Sequence, residues 1–234
     1  MQYVKIKDSI VEQIESGLLS PRQKLPAERK LAESFDTTRV TLREALSLLE
    51  AEGRIYREDR RGWFISPQPL NYDPTQTLNF SNMALAQHRV PKTELIAAKG
   101  ILANKLAASL LGLQPFSDVY QVDRVRYLED RPVVFVTNYI RPELFPNLLD
   151  FDLSKSLTDI YRDHFGMVYQ KIRYRISTSS LLGDTAQALR ATSGTPAMVV
   201  ERINYNQHGE IIDCDIEYWR HDAISIESIA VLNH

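Results

Sequence analysis

Three prolines within eight residues, Pro67, Pro69 and Pro74, constrain this 234-residue chain more than any other feature. Each fixes φ, removes a backbone donor and pushes the residue before it out of the helical region. The stretch Ser66–Pro74 therefore suits neither a helix nor a central strand, and it reads as an extended connector. The chain is expected to divide into residues 1–66, a linker at 67–75 and residues 76–234. Charge does not mark the division: residues 1–66 carry 12 Lys+Arg and 11 Asp+Glu, leaving 16 and 19 of the totals of 28 and 30 for the rest. A net charge of −2 with 44% hydrophobic residues excludes a uniformly basic, histone-like chain and a disordered one. One cysteine, Cys214, permits neither an internal disulfide nor a multi-thiolate zinc site. His88, His164, His208, His221 and His234 show no metal-ligand spacing, so neither metal nor cofactor is expected. No apolar run approaches ~18 residues and no signal-peptide core opens the chain, which predicts a cytoplasmic protein.

The first part reads as three helices and a hairpin. Ile6, Ile10, Ile14 and Leu18 recur every four residues as one apolar stripe. Gly17 is a stop signal, with Pro21 beyond it. Pro26 precedes a short helix with Leu31, Ala32 and Phe35 inward. Thr37 or Thr38 can cap a third helix whose core face is Leu42, Ala45, Leu46 and Leu49, ending at Gly53. Ile55–Arg57 and Trp63–Ile65 then read as two short strands. This is the outline of a winged helix-turn-helix. Thr38, Arg39, Thr41 and Arg43 offer donors suited to phosphates and guanine edges, although a solvated face, with Arg43 paired near Glu44 or Ser47, fits the same pattern. The tip Arg60-Arg61-Gly62 reads as a minor-groove wing or as a charged turn.

The second part changes period. Val119–Tyr127 alternates apolar and polar, Glu129-Asp130-Arg131 turns, and Pro132–Ile140 returns. Met198–Asn206 and Ile211–Trp219 form a second hairpin around Gln207–Glu210. Helical patterns lie near 104–110, 156–165 and 184–191. Hairpins interrupted by helices predict an α+β domain. Cys214 reads as a small strand residue rather than a nucleophile, and Trp63 as a packing residue.

Lys24-Leu25-Pro26-Ala27-Glu28-Arg29-Lys30-Leu31-Ala32, followed by Thr38–Leu46, resembles the signature of the GntR family of bacterial transcription regulators across residues 3–66. The resemblance implies a winged-helix protein that dimerises on a palindromic DNA operator. It assigns DNA contacts to Arg29, Thr38, Arg39, Thr41 and Arg43, and to Arg60, Arg61 and Gly62 at the wing tip. The tip departs from the family's glycine-rich form, and its extra arginines suit a narrow minor groove. Residues 72–230, through Asp123–Arg126, Ser156-Leu157 and Glu217–Asp222, resemble the UTRA effector domain of the HutC subfamily, an antiparallel sheet with helices in the chorismate-lyase-like fold. Asp59–Phe64, Asp73–Gln76 with Asn79-Phe80, and Ile216–Asp222 are similar to phosphonate-utilisation regulators that respond to 2-aminoethylphosphonate.

Arg124 and Arg126 alternate onto one strand face, where two guanidiniums suit an anion with several oxygens, unless they pair with carboxylates on a solvated face. The resemblance selects the ligand role, adds hydroxyls at Ser81 and Ser156, and puts Asp213 and Trp219 where relatives bind their effector. Ser156 as a helix cap would bring free amides and a favourable dipole to an anion. Asp213, Asp215 and Glu217 share one face of the last strand, and Asp213 is the expected acceptor for an ammonium that Trp219 would cover. Val136 stands where sugar-phosphate sensors tend to carry a glutamate, which argues against a hexosamine phosphate. The alternatives are a sugar-phosphate or carboxylate effector, or a lyase-like enzyme. No paired acid and base emerges to support the last.

Overall fold

The computed structural model describes residues 1–76 and 78–232, so His234 lies outside the described residues. In chain order the elements are α1 (Gln2–Glu15), α2 (Glu28–Ser34), α3 (Arg39–Ala51), β1 (Ile55–Glu58), β2 (Gly62–Ile65), β3 (Leu70–Tyr72), α4 (Phe80–Ala86), β4 (Pro91–Leu102) and α5 (Lys105–Leu111). They continue with β5 (Asp118–Leu128), β6 (Arg131–Ile140), α6 (Leu157–Phe165), β7 (Tyr169–Ser180), α7 (Gly183–Ala188), β8 (Pro196–Asn206), β9 (Ile211–Arg220) and β10 (Ile224–Ile226). The chain packs as two compact units.

The first unit begins with the three helices. Ile6 and Ile10 of α1 are buried and Ile14 is half-buried, but the stripe predicted to reach Leu18 stops short. Ser16 closes the helix and Gly17 enters the left-handed region at φ 79°, which turns Leu18 out to 74% exposure and Leu19 inward. Helix α2 buries Leu31 and Ala32. Thr38, rather than Thr37, caps α3, its Oγ1 accepting from the Thr41 N–H at 3.2 Å. Leu42, Ala45, Leu46 and Leu49 are wholly buried, each leucine contributing about 2 kcal/mol of apolar transfer. Strands β1 and β2 pair antiparallel from Ile55↔Ile65 to Glu58↔Gly62, sending Ile55, Ile65 and Trp63 into the helical core. The turn takes Arg60 at φ 58° and Gly62 at φ 100°.

Two later segments, Ser180–Pro196 and Arg220–Ser225, complete this unit. The buried Arg220 guanidinium donates to the carbonyls of Leu189 at 2.5 Å and Arg57 at 2.6 Å, and lies 5.5 Å from the centre of the Tyr56 ring. The His221 ring bridges the carbonyls of Glu50 and Pro196, at 2.5 and 3.1 Å. Asp222 accepts from the Ser66 hydroxyl at 3.0 Å. The chain leaves the first unit at Asn71, within the proline-rich stretch read as a linker, and re-enters it twice, which a single division at 67–75 does not capture.

The second unit is built on a six-stranded sheet in the order β4-β5-β6-β9-β8-β7, with β4, β5, β6 and β9 successively antiparallel. Both predicted hairpins are present. Alternation along the strands feeds two cores. Val122, Ile140 and Ile212 pack with Phe145, Leu157, Ile160 and Tyr161 of the α6 side. Val119, Tyr139, Ile203, Cys214 and Ile216 pack with Ala107 and Leu111 of α5. Burial pushes the Cys214 thiol far above its usual pKa, which fits an inert strand residue.

Candidate functional site

In the first unit, the exposed face of α3 is organised by one carboxylate. Glu28, at the start of α2, accepts from Arg43 Nε at 2.8 Å and Trp63 Nε1 at 3.2 Å, with Arg39 at 4.0 Å. Burial works to raise the Glu28 pKa, but the bonds from Arg43 and Trp63 outweigh it and hold the carboxyl below its ordinary value. Arg43 therefore pairs across to α2, not to Glu44 or Ser47. The Thr38 and Thr41 hydroxyls lie 3.0 Å apart and bond to each other. Arg29 pairs with Glu33, Arg60 with Asp59 and Arg61 with Glu58, all three arginines well exposed. The eight residues predicted to touch DNA thus lie on α2, at the cap and first turns of α3, and at the hairpin tip. The arginine heads are exposed, but Glu28 and Glu58, which hold Arg43 and Arg61, are themselves largely buried, whereas the Arg29–Glu33 and Arg60–Asp59 pairs are exposed on both sides and weak.

The second unit encloses a cavity of about 100 Å³ against one face of its sheet. Its floor comes from β5 (Arg124, Arg126), β6 (Asn138), β8 (Arg202) and β9 (Asp215, Glu217), and its rim from the N-terminal ends of α4 and α6. Two caps meet there. Asn79 caps α4 through its Oδ1 and donates from Nδ2 to the Ser156 hydroxyl at 3.4 Å, while Ser156 Oγ caps α6 by accepting from the Asp159 N–H.

The charges in the cavity are unevenly satisfied. Arg202 lies 3.7 Å from Asp215 and 3.8 Å from Glu217, and Arg126 lies 3.5 Å from Glu217. Burial depresses the Arg202 pKa, but the neighbouring charges, Asp215 first, outweigh it and hold the guanidinium well above its usual value. Burial raises the Glu217 pKa more than Arg126 lowers it. Arg124 differs from both. It is buried, it donates only to neutral acceptors (Asn138 Oδ1 at 2.9 Å and the Lys155 carbonyl at 3.2 Å), and its Nε has no hydrogen-bond partner among the described residues. Burial, and then the charge of Arg126, pull its pKa down to about 10. Among the described residues, Arg202 Nε and Glu217 Oε1 also lack hydrogen-bond partners. Three arginines thus face two carboxylates around a space that Arg124 Nε and Arg202 Nε leave with unsatisfied donors.

Ser81, Arg124, Arg126 and Ser156 come together at this cavity as predicted, and Asp213 and Trp219 do not line it. Asp213 shares a strand face with Asp215 but is sealed behind Tyr161 and Tyr169, whose hydroxyls donate to its Oδ2 at 3.1 and 2.8 Å. Burial and the nearby Asp215 push its pKa up to about 7. The Trp219 ring is wholly buried between Tyr72 and Phe80, and its Nε1 donates to Glu217 Oε2 at 2.7 Å. It orients a carboxylate instead of covering a ligand cation. Phe80 and Tyr174 instead cover the protein's own cations Arg126 and Arg202, at 5.2 and 5.6 Å. Sequence reasoning missed Arg202, Asn138 and Asn79. The signal for Arg202 was the polar row Arg202, Asn204, Asn206 at every second position of the strand.

Residues 2–65 match the family described as bacterial regulatory proteins, gntR family, and residues 86–225 match the UTRA domain. The chain is 31% identical over 225 residues to the HTH-type transcriptional regulator YihL of Escherichia coli, covering 94% of each chain. It is 27% identical over 220 residues to the HTH-type transcriptional repressor NagR of Bacillus subtilis, covering 94% of this chain and 90% of the relative. Among solved structures, PhnF from Mycobacterium smegmatis superposes with a TM-score of 0.67 at 24% identity, over 97% of this chain and all of that one, which establishes the likeness of fold.

Proposed function

The chain belongs to the gntR family of bacterial transcription regulators and carries a UTRA effector domain, and from that premise we propose that its effector is a small phosphonate zwitterion of the 2-aminoethylphosphonate class. The observation that carries the reading is Arg124, a buried guanidinium without a carboxylate partner, opening on a cavity beside Arg126, Ser81 and the capped start of α6. A phosphonate takes two bonds from a guanidinium fork and further bonds from hydroxyls and helix amides. Asp215 and Glu217, on the neighbouring strand, supply the opposite charge that an ammonium requires. Asp213, expected to take that role, instead backs Tyr169.

The reading extends to a homodimer whose two heads read a palindromic operator. There the α3 residues Arg39, Thr41 and Arg43, with Thr38, meet the major groove, Arg29 the backbone, and Arg60-Arg61-Gly62 the minor groove. Effector binding changes DNA affinity only if it favours one arrangement of the heads over another. The chain works as a binding protein, not as a catalyst, in the cytoplasm; no helix among the described residues is long and apolar enough to cross a membrane.

A thermal-shift panel tests the effector. It contains 2-aminoethylphosphonate, phosphonoacetate, glucosamine 6-phosphate, N-acetylglucosamine 6-phosphate, urocanate and inorganic phosphate. Ligand at about 100 times its dissociation constant stabilises by about 2.7 kcal/mol. A shift with 2-aminoethylphosphonate that disappears in Arg124→Met supports the reading. A shift with a sugar phosphate or urocanate alone replaces the effector and leaves the regulator.

A further inference from the structure

We propose that Arg202 seats a carboxylate, so that the effector is the 2-aminoethylphosphonate skeleton with a carboxylate on the carbon that bears its ammonium. In chemical class it is an α-amino acid whose short side chain ends in a phosphorus oxyanion. The inference rests on the phosphonate reading above and narrows it.

Charges across the cavity floor alternate in sign. Arg124 and Arg126 stand on β5, Asp215 and Glu217 on β9, and Arg202 on β8, with the uncharged Asn138 of β6 between the first pair and the second. The register sets Arg124, Val136 and Glu217 in one row across β5, β6 and β9. From β5 to β8 the floor therefore reads cation, anion, cation. A complementary ligand reads anion, cation, anion. A phosphonate followed by an ammonium meets the first two positions and brings no acceptor to Arg202.

Arg202 has charged neighbours without the bonds that normally accompany them. Its Nη1 stands 3.7 Å from Asp215 and 3.8 Å from Glu217, both too long for hydrogen bonds. Its Nε is shut off from solvent and has no hydrogen-bond partner among the described residues. The Tyr174 ring lies 5.6 Å from the guanidinium carbon, an attraction that offers its donors no lone pair. A guanidinium kept only to neutralise two buried carboxylates gains most by bonding to them directly. One held back from them, with a donor open, suits a further acceptor with two oxygens.

The place for the ammonium lies between the arginines. Arg126 and Arg202 both approach the same atom, Glu217 Oε1, at 3.5 and 3.8 Å, and that oxygen accepts no hydrogen bond among the described residues. Trp219 Nε1 holds the other oxygen, Glu217 Oε2, at 2.7 Å, which fixes the carboxylate and leaves Oε1 for a ligand. An ammonium donating to Oε1 has one guanidinium from β5 and another from β8 close by. In an α-amino acid the ammonium and the carboxylate share a carbon, and a phosphonate on the next carbon puts an acid on each side of the ammonium. The order of groups in the ligand then matches the order on the floor.

Isothermal titration calorimetry of the full chain with 2-aminoethylphosphonate, 2-amino-3-phosphonopropanoate and O-phosphoserine tests the seat. For the wild type, the added carboxylate is expected to tighten binding roughly tenfold or more, the worth of a charged hydrogen bond. Arg202→Gln should bring the ratio of the two phosphonate affinities back to about one. A general loss of structure weakens both ligands and leaves that ratio unchanged. Arg202→Lys keeps a charge beside Asp215 and Glu217 but not the fork. It is read if the glutamine variant does not fold, and it should lose most of the preference. Equal affinities in the wild type, or a preference that survives these changes, overturn the carboxylate seat and leave the phosphonate reading standing. Tighter binding of O-phosphoserine than of 2-amino-3-phosphonopropanoate, lost in Arg202→Gln, supports the seat and overturns the phosphonate as its source. Binding of none of the three overturns both.

Discussion

Two arginines two residues apart on β5 should respond to the same substitution with opposite signs. In the free protein, Arg124 keeps its charge in a buried place where its hydrogen bonds go only to neutral acceptors. Its pKa falls from the ordinary guanidinium range to about 10, and at about 1.36 kcal/mol per pKa unit the charged form costs the fold about 3 kcal/mol. Arg124→Met removes that cost and leaves Asn138 Oδ1 without a donor, which returns about 1–2 kcal/mol. The net expectation is a free protein more stable by about 1 kcal/mol. Because both the folded and the unfolded pKa lie above neutrality, the gain is constant through neutral pH.

Arg126→Met acts differently. It removes the nearest cation from Glu217, a buried carboxylate that keeps Arg202 at 3.8 Å, and should destabilise by about 2–3 kcal/mol. Urea unfolding of the two variants without ligand checks the signs, and thermal shifts with 2-aminoethylphosphonate check that both lose the ligand response. Equal destabilisation by the two changes would refute the argument, because Arg124 would then be a structural pillar and not a receptor held ready for an anion.

Other expectations follow from the same geometry. Asp213 has a folded pKa of about 7 against 3.8 unfolded, so its contribution is fully present below about pH 4 and is lost as pH rises to 7. Asp213→Asn should abolish that decline, worth up to about 4 kcal/mol, in unfolding measured from pH 4 to 8. Glu28→Gln should cost about 1–2 kcal/mol at neutral pH by weakening the bonds from Arg43 and Trp63. Because the Glu28 pKa is depressed, the difference from wild type should vanish in acid, as the carboxylate protonates. Arg60→Ala should weaken DNA binding evenly across sequences and reduce the slope of log K against log salt by about one, read by fluorescence anisotropy.

The first unit's helices were legible because their core faces keep a helical period and their ends carry their own stop signals: Thr38 as a cap, and Gly17 and Gly53 in left-handed turns. The two hairpins of the sheet were legible from period-two alternation. Strands β4 and β7 were not, because edge strands bury neither face well, and their residues lack the apolar contrast that marks a half-buried strand. At the site, Arg124 and Arg126 were legible because a strand's period brings i and i+2 to one side. Asp213 was misplaced for the same reason: period two gives the face but not the position along it. Two tyrosines from α6 and β7, far away in sequence, decide that Asp213 is sealed off while Asp215 is open. Trp219 fails likewise, since its partner Glu217 competes with any ligand for the indole.

The three successive residues Arg220, His221 and Asp222 have a consequence for modularity. They grip β1, the last turn of α3 and the end of β2, while Arg190 accepts from the Asp59 N–H at 2.8 Å. A reading head whose closing pieces come from the far end of the chain is not a cassette. Cut after residue 66, the fragment would keep α3 but expose the Tyr56 ring and free the carbonyl of Arg57. Grafted onto a foreign sensor, it would need the loop and turn that now close it. Such a head moves between sensors intact only together with Ser180–Pro196 and Arg220–Ser225, the later segments that complete its unit.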